Sequence, residues 1–171
     1  MRSTNYIIAI GFLFISCEIV EPEYENTLDL DNNSPPGILF TPEISSTTLG
    51  GSAAVTLNLL EVKNIAGVRA RIQYDNARLA VSTISAGSFF SASDPPVFVY
   101  DDDGSGTLDI YSFYMGSDKI KSGTGDIALI VFNTKFPGDG NIDITTESEL
   151  LDENGQLIPI QSFGSGVISA Q

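Results

Sequence analysis

Histidine is absent from all 171 residues, so no Ser-His-Asp triad, no Cys-His pair and no zinc centre of the usual His-containing kinds can be assembled. Carboxylates are the abundant reactive groups, with 22 Asp and Glu against 8 Lys and Arg and a formal charge of −14. A glycosidase needs only two carboxylates across a cleft. Here they cluster in turn sequences and in one stretch near the N-terminus, where solvation is their ordinary role, so catalysis is not expected. One spacing does suggest a ligand. Counted from Asp101, oxygen-bearing side chains fall at Asp101, Asp103, Ser105 and Asp109, the first, third, fifth and ninth positions, with Gly106 at the sixth. That imitates the opening of an EF-hand calcium loop. The twelfth position holds Ser112 in place of the bidentate Glu, and a hairpin turn built on Asp and Gly preferences accounts for the same residues. Calcium is the one cofactor the sequence suggests.

The remaining chemistry lies at the N-terminus. Arg2 precedes an apolar run over residues 7–15, interrupted only by Ala9 and Gly11 and too short to span a bilayer. The run closes in Phe14-Ile15-Ser16-Cys17, which resembles the lipobox of bacterial lipoproteins, with Phe14 where Leu is usual. Cys17 is the only cysteine, so a disulfide framework is excluded, and lipidation is the use the resemblance implies. Each buried CH₂ contributes about 0.8 kcal/mol, so two or three acyl chains would anchor durably. Residues 1–16 are read as a lipoprotein signal peptide and 17–37 as an acidic tether. That tether carries Glu18, Glu21, Glu23, Glu25, Asp29 and Asp31, has no basic residue and ends in Pro35-Pro36-Gly37. Its low hydrophobicity denies it a core, and like charges extend it. An acidic stretch straight after the Cys resembles surface-export signals of Bacteroidetes-type lipoproteins. The expected address is the outer membrane or cell surface.

From residue 38 to 171 the pattern has period two. Val68, Ala70, Ile72 and Tyr74 fall on one face of a strand, and Arg69, Arg71 and Gln73 on the other. Val55, Leu57 and Leu59 alternate before the phase shifts to Leu60 and Val62, which predicts a bulge. Residues 127–132 are apolar throughout and rich in branched residues, so they read as a central strand covered on both faces; period alone leaves a short buried helix open, and the flanking Gly125 and Pro137-Gly138 favour strand. Turn chemistry at Asp94-Pro95-Pro96, Asp102-Asp103-Gly104, Gly138-Asp139-Gly140 and Asn154-Gly155 separates the rest. The expectation is all-β: a two-layer antiparallel sandwich of about nine strands.

Several segments are similar to cohesins, the jelly-roll receptors of cellulosome scaffoldins. Tyr74-Asp75-Asn76-Ala77-Arg78-Leu79 resembles an early strand ending in Tyr-Asp with Leu four residues on. Leu108-Asp109-Ile110-Tyr111-Ser112-Phe113 resembles a hairpin strand, and residues 123–132 resemble a Gly-containing loop entering an apolar strand. Leu151-Asp152-Glu153-Asn154-Gly155 and Gly166-Val167-Ile168 resemble the closing strands. The resemblance implies a jelly-roll sandwich that holds the helices of a dockerin-type protein module on one sheet face. Gly67 and Arg69 stand where the family often has Asn and Asp. An acidic helix would suit Arg69 and Arg71 better than the partners of the well-known cellulosomal types.

Two ligand classes stay open, beside a purely structural surface domain that binds neither. A protein partner needs a broad face with a few aromatic and Arg anchors, which Arg69, Arg71, Gln73, Tyr111 and Phe113 could supply if their strands are neighbours. By alternation Tyr111 and Phe113 lie opposite Leu108, and either face could be the core. A polysaccharide needs coplanar aromatics; Trp is absent, leaving Tyr100, Tyr111 and Tyr114 as substitutes. Nucleic acid is not expected, because the acidic excess repels phosphate.

Overall fold

The computed structural model of the chain describes residues 33–90, 95–116 and 119–171. Cys17, the signal-like run and the acidic residues 18–31 lie outside the described residues. Thirteen strands follow in order. The first seven are β1 (Gly37–Thr41), β2 (Ile44–Thr47), β3 (Ser52–Ile65), β4 (Gly67–Tyr74), β5 (Leu79–Ala86), β6 (Val97–Asp102) and β7 (Thr107–Phe113). The remaining six are β8 (Lys121–Thr134), β9 (Gly138–Ile144), β10 (Glu149–Leu151), β11 (Leu157–Ile158), β12 (Ser162–Phe163) and β13 (Ser165–Ala170). Nine of them are five residues or longer and form the expected sandwich; the four short ones extend its edges.

One sheet has the order β12-β1-β3-β8-β5, and the other runs β11-β10-β4-β9-β13-β2, with β7 on the opposite edge of β4 and β6 outside β7. Alternation buries one side of each sheet. Ile38, Phe40, Leu57, Leu59, Ile130 and Phe132 meet Val68, Ala70, Ile72, Leu108, Ile110 and Ile142, all at 3% exposure or less. Tyr74 crosses between the layers to Phe132, with ring centroids 5.6 Å apart. Burying each such side chain contributes about 1.5–3 kcal/mol, and this apolar contact is what presses the two layers together.

Two features depart from the expected pattern. Residues 127–132 are not covered on both faces: Ile130 and Phe132 are buried, but Leu129 is 40% exposed and Val131 is only half-buried. In a two-layer sandwich nothing covers the outer side of a central strand, so β-branched content alone did not mark double burial. The sheets are also not wholly antiparallel, since β12 runs parallel to β1 and β2 parallel to β13. The chain passes repeatedly from one sheet to the other, and two of those changes run through Pro42 and Glu43 between β1 and β2, and through Gly164 between β12 and β13. These crossings lie side by side. Gly164 N donates to Ile38 O and Val167 N to Glu43 O, and a Cβ on Gly164 would stand 2.9 Å from Leu39 Cα. The expected bulge is present. Leu59 and Leu60 are both buried, the β3–β8 register shifts between Leu59 and Val62, and Glu61 N and Asn64 N donate to the hydroxyls of Thr124 and Ser122.

Candidate partner-binding face

Strand β4 is the axis of the site. Its even-numbered residues from Val68 to Tyr74 enter the core, so Arg69, Arg71 and Gln73 point outward. Strand β7 lies beside it in a register that puts Phe113 opposite Gly67, Tyr111 opposite Arg69, Asp109 opposite Arg71 and Thr107 opposite Gln73. The core takes Leu108 and Ile110. Tyr111 and Phe113 therefore share the outer face with the arginines, and all five residues singled out for partner binding lie together.

The centre of this face is an ion cluster. Arg71 Nε donates to Asp109 Oδ1 at 2.9 Å and Nη2 to Oδ2 at 2.7 Å, while Nη1 donates to Glu147. Arg69 Nε stands 3.4 Å from Asp109 Oδ1, an ion pair without hydrogen-bond geometry, and its guanidinium lies 5.8 Å from the centroid of the Tyr111 ring. The hydrogen bonds from Arg71 hold the Asp109 carboxyl below the usual carboxylate range against the opposing effect of burial. Asp109 and then Glu147 push the Arg71 guanidinium further up. Glu147 reaches Arg71 because β9 pairs only with residues 72–74 of β4, and β10 only with residues 67–69. The turn between them bonds Arg71 directly: Arg71 N donates to Ser148 Oγ and Thr145 N to Arg71 O.

Cross-strand pairs share a face, so the register extends the surface beyond the expected residues. Val97, Phe113, Gly67, Leu151 and Leu157 form one apolar row across five strands. Phe113 is 37% and Leu157 65% exposed. Over Gly67 lies a depression of about 300 Å³, walled by Phe113, Tyr111, Leu151 and Glu149. The next row holds Val99, Tyr111, Arg69 and Glu149, and the one after it Asp101, Asp109 and Arg71. Asp143, opposite Gln73, continues the face onto β9. Sequence reasoning missed Val97, Val99, Asp143, Glu147, Glu149, Leu151 and Leu157, since none shares a strand with the residues it singled out for partner binding. Alternation within β6 was the one available signal.

The four calcium candidates fall into two pairs, Asp103 with Ser105 in the turn and Asp101 with Asp109 across β6 and β7. Asp109 spends its oxygens on Arg71. Asp103 accepts from Ser105 N, Thr107 N and Ser105 Oγ, bonds, led by the Ser105 hydroxyl, that lower its pKa to about 2. Asp101 sits exposed on β6 opposite Asp109. Among the described residues no three of His, Cys, Asp or Glu are grouped to hold a metal. The segment is the hairpin turn between β6 and β7, fastened to β4: Tyr74 Oη donates to Asp102 Oδ1 at 2.8 Å and Tyr74 N to Gly106 O. Burial first, then Asp102, raises the Tyr74 pKa. The tyrosines do not make a sugar platform either. Tyr111 faces out, Tyr100 projects from the other side of β6 toward Phe98, and Tyr114 packs edge-on against Phe90.

The cohesin-domain family profile matches residues 42–168. Among solved structures, a non-cellulosomal cohesin from the hyperthermophilic archaeon Archaeoglobus fulgidus is 17% identical, covering 79% of this chain and 91% of that one, with a TM-score of 0.63. A type II cohesin domain from the cellulosome of Acetivibrio cellulolyticus is 20% identical, covering 77% and 94%, with a TM-score of 0.66. A chain of a type I cohesin–dockerin complex from Clostridium thermocellum is 18% identical, covering 79% and 98%, with a TM-score of 0.63. At these identities the likeness to solved structures shows the fold. No curated protein matches the chain.

Proposed function

The chain belongs to the cohesin family, and on that premise we propose that it is a non-catalytic docking module that holds a helical protein partner, of dockerin type or similar, on the outer face of β4 and β7. One observation carries this: Tyr111 and Phe113 stand in register with Arg69 and Gly67 on a face that no other layer covers among the described residues. The relative from Clostridium thermocellum was solved as a complex with a dockerin, which supports a protein as the ligand class here. Polysaccharide binding, the alternative, finds no coplanar aromatic set in Tyr100, Tyr111 and Tyr114.

The same proposal places the module at the bacterial outer membrane or cell surface, with acylated Cys17 as anchor and the residues ahead of Ser34 as tether, since Ser34 and Pro36 are already bonded to Ser162 and Gln161 and Gly37 opens β1, so that a secreted partner is retained there. Support comes from the apolar run and Ser16-Cys17. The test is capture by the full chain from the secreted proteins of the organism that makes it, beside a polysaccharide retention gel. A protein released when Phe113→Ala replaces the wild type supports the reading. Retention on glycan with no protein captured overturns it. Metabolic labelling with fatty acid should mark the wild type and not Cys17→Ser; an unlabelled wild type ends the anchor proposal.

A further inference from the structure

The charges on the docking face are unequal. Asp101, Asp109, Asp143, Glu147 and Glu149 stand on it or at its rim against Arg69 and Arg71, an excess of three carboxylates. The guanidiniums are already engaged: Asp109 meets both and Glu147 takes the remaining side of Arg71. Asp101, Asp143 and Glu149 have no cationic partner among the described residues. An acidic helix would therefore have to part Arg71 from Asp109 and then face three uncompensated carboxylates, a like-charge juxtaposition that disfavours a partner strongly. The acidic-helix expectation drawn from Arg69 and Arg71 alone is thereby reversed.

The apolar row adds position to sign. Gly67 lies at its middle, and a Cβ there would come 2.9 Å from Phe113 Cβ, so the missing side chain is what opens the depression of about 300 Å³. Glu149 lies one row on, about 7 Å along the strands and about 5 Å to one side of β4, and Asp101 two rows on, about 13 Å along and about 10 Å to the other side. At about 1.5 Å rise per residue, the components along the strands are about four and eight or nine residues of a helix lying over β4, from which long cationic side chains must reach to opposite sides to meet the two carboxylates.

We infer that the partner presents a cationic helix with a branched aliphatic anchor, which seats over Gly67 between Phe113 and Leu151 while Lys or Arg residues about four and eight positions away meet Glu149 and Asp101. This rests on the docking reading and specifies its chemistry. A basic flank gains three unmatched carboxylates without disturbing the Arg71–Asp109 bonds, and the anchor removes the exposed edge of Phe113 from water.

The probe is a set of three side-chain-stapled Ala- and Gln-based helices titrated against the full chain. One has Leu with Lys at the fourth and eighth positions after it, one has Ala in place of Leu, and one has Glu in place of both Lys. The Leu–Lys helix should bind, loosening about ten- to a hundredfold on loss of Leu and again as salt rises from about 0.05 to about 0.5 M. Asp101→Lys with Glu149→Lys, both at surface positions, should transfer preference to the Glu helix. Equal or tighter binding of the Glu helix by the wild type, or binding of none of the three, overturns the inference. In those cases capture of a Phe113-dependent protein partner still upholds the docking reading, whereas retention on glycan with no protein captured ends both.

Discussion

Asp109→Asn tests whether the ion cluster organises the face. The Asp109 side chain is 13% exposed and those of Arg69 and Arg71 about a quarter, so the carboxylate is nearly enclosed and its cations are half wet. Breaking a fully buried pair costs about 3–5 kcal/mol and an exposed one about 0–1. With two direct hydrogen bonds lost or weakened and solvent screening the guanidiniums, the cost should lie between these limits, about 2 kcal/mol. For the described domain, unfolding entropy of about 2.1 cal/mol/K per residue turns that into a fall in Tm of about 7 °C. The assay is a pair of thermal melts at neutral pH, with Asp101→Asn as control: that carboxylate is the cross-strand neighbour, exposed and without an ion pair, and its loss should cost under about 0.5 kcal/mol. The pH dependence follows from the sign of the shift. Asp109 titrates lower folded than unfolded, so its stabilisation is complete above the ordinary carboxylate value and is lost as pH falls through the folded one. The gap between wild type and Asp109→Asn should stay constant above about pH 4 and close below it. Equal melting of the two variants, or a gap unchanged at low pH, would refute the reasoning.

Tyr74→Phe removes the hydroxyl bonded to Asp102 and should cost about 1 kcal/mol by chemical denaturation, loosening the β6–β7 turn without altering the sheet. Gly106→Ala should be worse, above about 2 kcal/mol, because the residue has φ +114° and a Cβ would stand 2.7 Å from Tyr74 O; a melt within a degree of wild type would show that the turn can relax. Millimolar calcium should leave Tm and titration heat unchanged, since the oxygens of Asp103 and Asp109 are already bonded within the protein. A saturable calcium heat would contradict that assignment.

Much of the sandwich was legible because burial on one face writes itself into a period of two. Val68 to Tyr74 show this, as does the phase slip at Leu59 and Leu60, where two neighbours are both buried only because β3 bulges. The paired sheet changes were not legible. They depend on contacts between residues more than a hundred positions apart, such as Val167 with Glu43, and neither β2 nor β12 is long enough to display a period. Residues 127–132 misled for a related reason: an apolar run reports β propensity and burial together, and exposed Leu129 satisfies the first without the second.

The site divides in the same way, and the division decides what the face can attract. Which side chains share one face of a strand is local information, so Arg69 and Arg71 could be named from alternation on β4, and Tyr111 and Phe113 could be named as a pair whose side, core or surface, alternation left open. The sign of the face is not local. Read along β4, the outward residues are cationic; read across β6, β7, β4, β10 and β9, the same surface holds more carboxylates than guanidiniums. Register makes that difference by setting Asp109 opposite Arg71 and Glu149 opposite Arg69. Reversing both arginines to Glu would therefore do more than change a rim charge. It would leave Asp109 beside two like charges in a nearly enclosed position, costing stability before any partner arrives, so a loss of binding in that variant would not identify the contact. Phe113→Ala and the Asp101, Glu149 reversal leave the cluster intact, and their effects on binding report on the face itself.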